Sequence, residues 1–232
     1  MIHLGAAMTK PGFTYNSSNT GHINRLWYDV DTYMKEATYK ENRNLTVLRP
    51  SLQSLIGKKD LIGAEIGVFN GLNSNNILNN LHMKHFYMID LNVPARSPGI
   101  DIIKKDSTTF MHGSSTNMIP NLPKDLDFIY IDGDHDHGQA LVDMQLALKK
   151  IKVGGIIGGH DYDQLGVVTS VNTFMHNIQR HIKKKPDWHY AACQDNHPGY
   201  PKEYKQFGFP LDWWYFKDTG LDDLKVHPLR LI

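Results

Sequence analysis

The sequence predicts an α/β protein built on a doubly wound, mostly parallel sheet. Three observations predict this fold class. Five short apolar runs alternate with helical patterns, which is the order that produces βα units. The run 128–131 is apolar at every position, as in a strand buried on both faces. Gly and acidic residues follow these runs directly, so polar side chains collect at the carboxyl edge of the sheet, where open α/β sheets bind ligands.

Length, charge and cysteine content narrow the class of protein. The chain has 232 residues, enough for one sizeable core, and its 25 Lys and Arg balance 24 Asp and Glu. This balance gives no field that recruits nucleic acid or a membrane, so we expect a small-molecule partner. Cys193 is the only cysteine, which excludes an internal disulfide and favours a reducing compartment. The start of the chain lacks a signal-peptide pattern, and we predict a cytoplasmic protein.

Residues 1–58 precede the first predicted strand and form an N-terminal helical extension. Residues 1–20 are rich in Gly, Ser, Asn and Thr without periodicity, which favours an irregular arm. Apolar residues then recur at helical spacing from Ile23 to Ala37, and a second short helix is expected over 51–56. We expect this extension to cap the substrate or to form homo-oligomer contacts. Residues 59–232 would form the main ligand-binding domain.

The predicted βα order begins at residue 61. The first strand covers 61–69, and the helix after it begins at Asn73 or Ser74. The next strands are expected over 85–90, 101–106, 127–132 and 156–162. A helix over 137–151 would end at Gly154 and Gly155, and another carries apolar residues from Val167 to Ile182. Two closing strands are expected within 188–192 and 211–216.

Three predicted strand ends carry signals for a nucleotide-like ligand. The motif Glu65–Gly71 places Gly residues between strand and helix, where a ligand can approach the backbone. Asp90 closes the next strand, where an acid can bind both ribose hydroxyls, although a loop or helix cap is the alternative. Asp106 and Ser107 are expected to close the third strand, where they would hold an adenine edge or cap a turn. Together, the three signals are more specific than any one.

The expected chemical centre is Asp132-Gly-Asp-His135, at the end of the central strand. Asp132 and His135 leave this strand together, so they can face one crevice. A histidine with a pKa of about 6.5 suits proton transfer near neutrality, although a hydrogen-bonded histidine at a helix start is the alternative. Asp161 ends the adjacent predicted strand, and its oxygens together with those of Asp132 suit Mg²⁺ or Mn²⁺.

In combination, these motifs resemble those of the class I S-adenosylmethionine-dependent methyltransferases. The segments that resemble the family's successive motifs are Glu65–Gly71, Ile89-Asp90, Asp106-Ser107 and Ile131–His135. The resemblance covers about residues 60–185. The branch of metal-assisted small-molecule O-methyltransferases, akin to macrolide-sugar and catechol enzymes, is similar at Ile131–His135, Val153–Tyr162 and Val167–Phe174. The resemblance implies a Rossmann-like, seven-stranded sheet whose last strand runs antiparallel.

The resemblance also implies roles for individual residues. S-adenosylmethionine would contact Glu65, Gly67, Asn70, Gly71, Asp90, Asp106, Ser107 and Asp132. His135 would be the catalytic base, and Mg²⁺ or Mn²⁺ would bind Asp132, His160 and Asp161. Position 160 usually carries a carboxylate in metal-dependent relatives, so His160 would either favour Mn²⁺ or not bind the metal at all. The expected reaction is methyl transfer to a hydroxyl of a small acceptor.

Two rival functions remain at this point. One is another nucleotide-using enzyme on the same fold, against which stands the absence of a GxGxxG motif and of a GxSxG elbow. The other is a binding module that keeps the fold without the chemistry, which fold alone cannot distinguish from an enzyme. Loss of an activity in chelator would separate a metal-assisted enzyme from such a module.

Overall fold

One mixed sheet organises the part of the chain that the structure describes. This computed structural model describes residues 38–39, 48–95, 98–192, 211–222 and 224, and the strands of this part join in a single sheet. In chain order they are β1 (Thr38–Tyr39), β2 (Leu61–Ile66), β3 (Met83–Asp90), β4 (Thr108–His112), β5 (Leu126–Ile131), β6 (Ile151–Gly159), β7 (Trp188–Ala192) and β8 (Leu211–Phe216). Their order across the sheet is β1-β7-β8-β6-β5-β2-β3-β4.

Strand directions confirm the predicted fold class. Strands β2 to β6 pair in parallel, and β8 runs antiparallel to both β6 and β7. The sheet is therefore the mostly parallel, Rossmann-like sheet with an antiparallel last strand that the sequence predicts. The two-residue strand β1 extends it at one edge by pairing with β7. Both closing strands form at the predicted positions.

Helices cover both faces of the sheet. They are α1 (Leu72–Asn80), α2 (Gly99–Ile102), α3 (Ser115–Met118), α4 (His137–Leu148) and α5 (Leu165–Ile182), with 3-10 helices at Pro50–Leu55 and Ile119–Asn121. Alternate residues of β5 point to opposite faces: Ile129 packs in the cluster under α4 and α5, whereas Phe128 packs in the cluster under α1 and the first 3-10 helix. Burial on both faces explains the continuous apolar run of this strand.

The glycine pair after α4 has a role that differs from the prediction. The helix ends at Leu148, and Gly154 and Gly155 lie inside β6 instead of ending the helix. Gly154 has a φ of +74°, and the register between β5 and β6 shifts between the pairs Leu126–Ile151 and Phe128–Ile156. The two glycines therefore allow an irregularity in the pairing of a strand, a position where glycine is also common.

The predicted third strand is wrong. Residues 99–102 form α2, and the strand β4 begins only at Thr108. The hydroxyl of Thr108 donates to the carbonyl oxygens of Ile102 at 2.7 Å and Lys105 at 2.9 Å, which closes the turn ahead of the strand. Because β4 runs parallel to β3, residues directly before Thr108 lie at the amino edge of the sheet.

The N-terminal predictions are tested only in part. The arm over 1–20 and the helix from Ile23 to Ala37 lie outside the described residues, and the domain division at residue 58 stays a prediction. The expected short helix over 51–56 forms as the 3-10 helix Pro50–Leu55. In the described part of the chain, no helix is long and apolar enough to cross a membrane.

Candidate active site

The glycine turn between β2 and α1 lies directly against the end of β5. Gly67 and Gly71 have φ values of +86° and +77°, which disfavour other residue types. A Cβ atom on Gly67 would lie 2.1 Å from the backbone oxygen of Asp132, and one on Gly71 would lie 2.5 Å from the Cα of Gly99. The two glycines thus allow the turn to approach both neighbouring segments. Asn70 lies in the same turn, and its side-chain oxygen accepts a hydrogen bond from the Leu72 N–H at 3.2 Å.

Asp90 holds the same turn from the adjacent strand. Its Oδ2 accepts hydrogen bonds from the backbone N–H groups of Val68 at 2.7 Å and Phe69 at 2.8 Å. Phe69 has a φ of +49°, uncommon for a non-glycine residue, and its side chain is 82% exposed. The carboxylate at the end of β3 therefore fixes a backbone conformation that presents a large apolar side chain beside the turn.

Glu65 is a buried carboxyl group beneath the turn. It is 1% exposed, and it accepts hydrogen bonds from Asn73 Nδ2 at 2.8 Å and from the hydroxyl of Ser74. Burial raises the pKa of Glu65 to about 8; its hydrogen bonds with Ser74 and Asn73 lower the pKa, and the charge of Asp132 raises it. A positively charged ligand group near Glu65 would favour its ionised form.

His135 and Asp161 form a hydrogen-bonded pair at the carboxyl edge of the sheet. His135 Nε2 lies 2.8 Å from Asp161 Oδ2, and this contact raises the pKa of His135. Burial opposes ionisation of Asp161, but its hydrogen bonds with His135 and His160 hold its pKa well below the ordinary range. Asp161 itself has a φ of +58°, so the backbone takes an uncommon conformation where its carboxylate meets the imidazole.

Three potential metal ligands converge at this place. Asp132, His135 and Asp161 each offer a donor atom, and these atoms all lie within 4.8 Å of one another. Two carboxylates and an imidazole are a donor set that suits Mn²⁺ or another transition ion better than Mg²⁺, which prefers oxygen ligands. The prediction named His160 in place of His135, and the structure places His160 beside this group with its nitrogens in other contacts.

His160 bridges the acidic cluster and a cation. Its Nδ1 lies 3.3 Å from Asp161 Oδ1 and 3.7 Å from Asp132 Oδ1, while its Nε2 lies 3.2 Å from Arg49 Nη1. Because a guanidinium group only donates, the contact with Arg49 is a hydrogen bond when Nε2 is unprotonated and Nδ1 carries the proton towards Asp161. Burial lowers the pKa of His160, but its hydrogen bond with Asp161 and the charges of Asp132 and Asp161 together outweigh this effect and raise the pKa to about 9, so the ring is a cation near neutral pH. In either protonation state both nitrogens of His160 are occupied, and His135 is the better third donor for a metal.

Asp106 and Ser107 lie away from the other predicted site residues. The carbonyl oxygen of Ser107 accepts a hydrogen bond from the Phe86 N–H at 2.9 Å, near the start of β3, whereas Asp90 ends that strand. The expectation that this pair closes a strand at the ligand-binding edge is therefore wrong. It failed because the strand was placed too early in the sequence, before the run of β-forming residues at Thr108–Met111.

Gly113 and Ser115 occupy the edge that was predicted for Asp106 and Ser107. The Gly113 N–H donates to the Asp90 carbonyl oxygen at 2.9 Å, and the hydroxyl of Ser115 accepts from Gln139 Nε2 at 3.0 Å. These residues were not predicted, although a Gly-Ser-Ser run directly after a strand of threonine and apolar residues would have indicated them. Arg49 was also missed, because it precedes every strand-end motif.

Comparisons with known proteins find one family model and one curated protein that are similar to this chain. A family described as a methyltransferase domain matches residues 64–162. The chain is 26% identical over 192 residues to an uncharacterised protein of Acanthamoeba polyphaga mimivirus, which covers 74% of this chain and 86% of that protein.

Solved structures share the fold at low sequence identity. A precorrin-6y methyltransferase from Geobacter metallireducens has a TM-score of 0.55 and 18% identity, with 78% of this chain and 94% of that chain covered. An rRNA methylase from Streptococcus thermophilus has a TM-score of 0.50 and 14% identity, with 75% of this chain and 99% of that chain covered. A Streptococcus mutans protein in complex with SAH has a TM-score of 0.50 and 15% identity, with 72% of this chain and 94% of that chain covered. The family match covers residues 64–162, and the solved structures share the fold of this chain.

The raised pKa of Glu65 predicts how stability depends on pH. Between its ordinary pKa near 4.5 and its folded value of about 8, the folded state keeps a proton that the unfolded state releases. Stability therefore falls as pH rises through this window, by roughly 1 kcal/mol per pH unit. Glu65→Gln keeps a neutral hydrogen-bonding group and removes this dependence. Urea unfolding of both proteins across the window should show the wild type losing stability relative to the variant; parallel curves would contradict the assignment.

Proposed function

We propose that this protein transfers the methyl group of S-adenosylmethionine to a hydroxyl of a small-molecule acceptor, with His135 as the base. The observation that carries this proposal is the 2.8 Å contact between His135 Nε2 and Asp161 Oδ2 at the ligand-binding edge. The imidazole is 43% exposed on its side chain, so an acceptor can reach it. His160 also contacts Asp161, but it is buried, so His135 is the imidazole at this edge that combines an orienting carboxylate with access from outside.

The site offers groups that fit the parts of the proposed cofactor. Asp90, at the turn, would hold the ribose hydroxyls, and the turn of Gly67 and Gly71 would face the methionine part. The buried Glu65 would favour a positively charged amino group nearby. The segment Gly113–Ser115, beside Asp90, replaces Asp106 and Ser107 as the proposed neighbour of adenine. That one protein of similar fold was solved with SAH supports the choice of cofactor.

His135 would act on the proton of the acceptor. When bound, S-adenosylmethionine supplies a methyl group on a sulfonium, whose transfer breaks a C–S bond, forms a C–O bond and releases the hydroxyl proton. With Nε2–H donated to Asp161, Nδ1 of His135 is the nitrogen that accepts this proton. The charge of Asp161 then stabilises the imidazolium ion. Holding the acceptor in line with the methyl group supplies much of the remaining rate.

A divalent cation is the second element of the proposal. Asp132 and Asp161 would hold it, and when bound it would lower the pKa of a hydroxyl that contacts it. The convergence of Asp132, His135 and Asp161 supports such a site but also makes His135 a possible ligand. An imidazole that binds a metal through its free nitrogen cannot take the acceptor's proton, so the two roles of His135 are separable by experiment.

The cofactor assignment predicts a contrast between two aspartates. Asp90→Ala should weaken SAH binding at least tenfold, since it removes a charged hydrogen-bond partner from the turn. Asp106→Ala, at the opposite edge of the sheet, should leave the affinity within about twofold. Isothermal titration calorimetry with both variants measures this difference. Absence of SAH binding by the wild type would overturn the methyltransferase proposal, and weaker binding by Asp106→Ala would contradict the placement of the cofactor.

The base assignment predicts a loss of turnover without a loss of cofactor. His135→Ala should reduce methyl transfer at least tenfold in a screen of phenolic and sugar acceptors with labelled S-adenosylmethionine, while SAH affinity stays within about twofold. His82→Ala, whose side chain is 64% exposed at the opposite edge, is the matched control. Wild-type activity should also fall as pH drops through the raised pKa of His135, where the imidazole becomes protonated. Unchanged turnover in His135→Ala would remove this residue from the mechanism.

The metal assignment predicts different effects for Asp132 and His135. Dialysis against a chelator should lower activity at least tenfold, and Mn²⁺ or Mg²⁺ should restore it. Electron paramagnetic resonance should detect bound Mn²⁺ in the wild type and in His135→Ala, but not in Asp132→Asn. If His135→Ala also loses Mn²⁺, His135 is a ligand and not the base. Full activity in chelator would exclude metal assistance and leave the His135–Asp161 pair to act alone.

A further inference from the structure

Arg49 brings a positive charge to a site that is otherwise rich in carboxylates. It lies directly before the 3-10 helix Pro50–Leu55 and is partly buried. Its Nε donates to Asn73 Oδ1 at 3.3 Å, in the first turn of α1, and its Nη1 lies 3.2 Å from His160 Nε2. A residue from outside the strand-end motifs thus contacts both the glycine-turn side and the acidic side of the site.

The segment that carries Arg49 is firmly anchored. Asp212 on β8 is fully buried, and its Oδ2 accepts hydrogen bonds from the backbone N–H of Ser51 at 3.3 Å and from its hydroxyl at 2.9 Å. The hydroxyl of Tyr130 donates to the other oxygen of Asp212 at 3.0 Å. Leu48 and Leu52, on either side of Arg49, are 1% and 0% exposed. These hydrogen bonds and the buried leucines hold the guanidinium group of Arg49 in a fixed position beside α1.

Asn73 links Arg49 to the buried Glu65 through the two ends of one amide. Its oxygen accepts from Arg49 Nε, and its Nδ2 donates to Glu65 Oε1 at 2.8 Å. A cationic and an acidic group therefore lie on opposite sides of a single amide. The guanidinium fork matches a carboxylate in shape and can bind it through two parallel hydrogen bonds.

We propose that Arg49 binds the carboxylate of the methionine part of the cofactor, while the amino group faces Glu65. This inference rests on the proposed use of S-adenosylmethionine and adds a residue that selects the zwitterionic end of that molecule. Arg49 would act in binding and in holding the methionine part in place, and would take no part in proton transfer. Asn73 would then orient both partners of the zwitterion.

The test compares two ligands that differ only in the carboxylate. SAH and decarboxylated SAH, which keeps the adenosine, the sulfur and the amino group, are titrated into the wild type and into Arg49→Gln. The wild type should prefer SAH at least tenfold. Arg49→Gln should weaken SAH binding by about tenfold to a hundredfold and change binding of decarboxylated SAH by no more than about twofold. Arg180→Gln, an exposed position in the last turn of α5, is the matched control and should change neither affinity.

Each outcome separates the inference from the proposed function. Equal weakening of both ligands by Arg49→Gln would assign Arg49 a purely structural role and overturn the inference, while SAH binding by the wild type would leave the cofactor proposal intact. If Arg49→Gln does not fold, the same two ligands are titrated into Arg49→Lys and the wild type. A wild type that binds both ligands equally overturns the inference. Failure of the wild type to bind SAH would overturn the cofactor proposal itself.

Discussion

The close approach of the glycine turn to the end of β5 is the constraint on which the site depends. The Gly67 N–H donates to the Ile89 carbonyl at 2.9 Å, and the Asp132 N–H donates to the Ile66 carbonyl at 2.7 Å, so the sheet pairing continues up to the turn. Because Gly67 has no Cβ, the backbone oxygen of Asp132 can lie beside it. This contact sets the distance between the turn and the polar side chains at the ends of β5 and β6.

The approach of the turn to the end of β5 also brings acidic groups close together at the carboxyl edge of the sheet. Asp132, Asp161 and the buried Glu65 end or adjoin neighbouring strands, and burial raises the pKa of both Glu65 and Asp132. His160 and Arg49 lie among them, and their charges lower the pKa of Asp132 and so favour its ionised form. Each cation is held in turn by hydrogen bonds: Arg49 by Asn73 and His160 by Asp161. The site is therefore a mixed-charge network, in which removal of one partner leaves a buried charge without compensation.

The sequence predicted those parts of this arrangement that depend on local patterns. Runs such as Phe128–Ile131 predicted buried strands, and the acids that end or follow them predicted Asp90 and Asp132 at the carboxyl edge of the sheet. The prediction failed at Asp106 and Ser107 because α2 and the turn closed by Thr108 delay the strand by several residues. Strand boundaries are set by such specific side-chain hydrogen bonds, which residue propensities do not contain.

Arg49 shows a different limit of sequence reasoning. Nothing near position 49 indicates function, since its partners Asn73 and His160 lie far along the chain and meet it only after the sheet has formed. The anchor of its segment, Asp212, comes from the antiparallel last strand, which packs beside β6. The last strand thus fixes a segment that precedes the first strand of the glycine motif, and this long-range closure brings a cation to the ends of β5 and β6. A site of this kind depends on topology as much as on its motifs, because the fold determines which distant charges compensate one another.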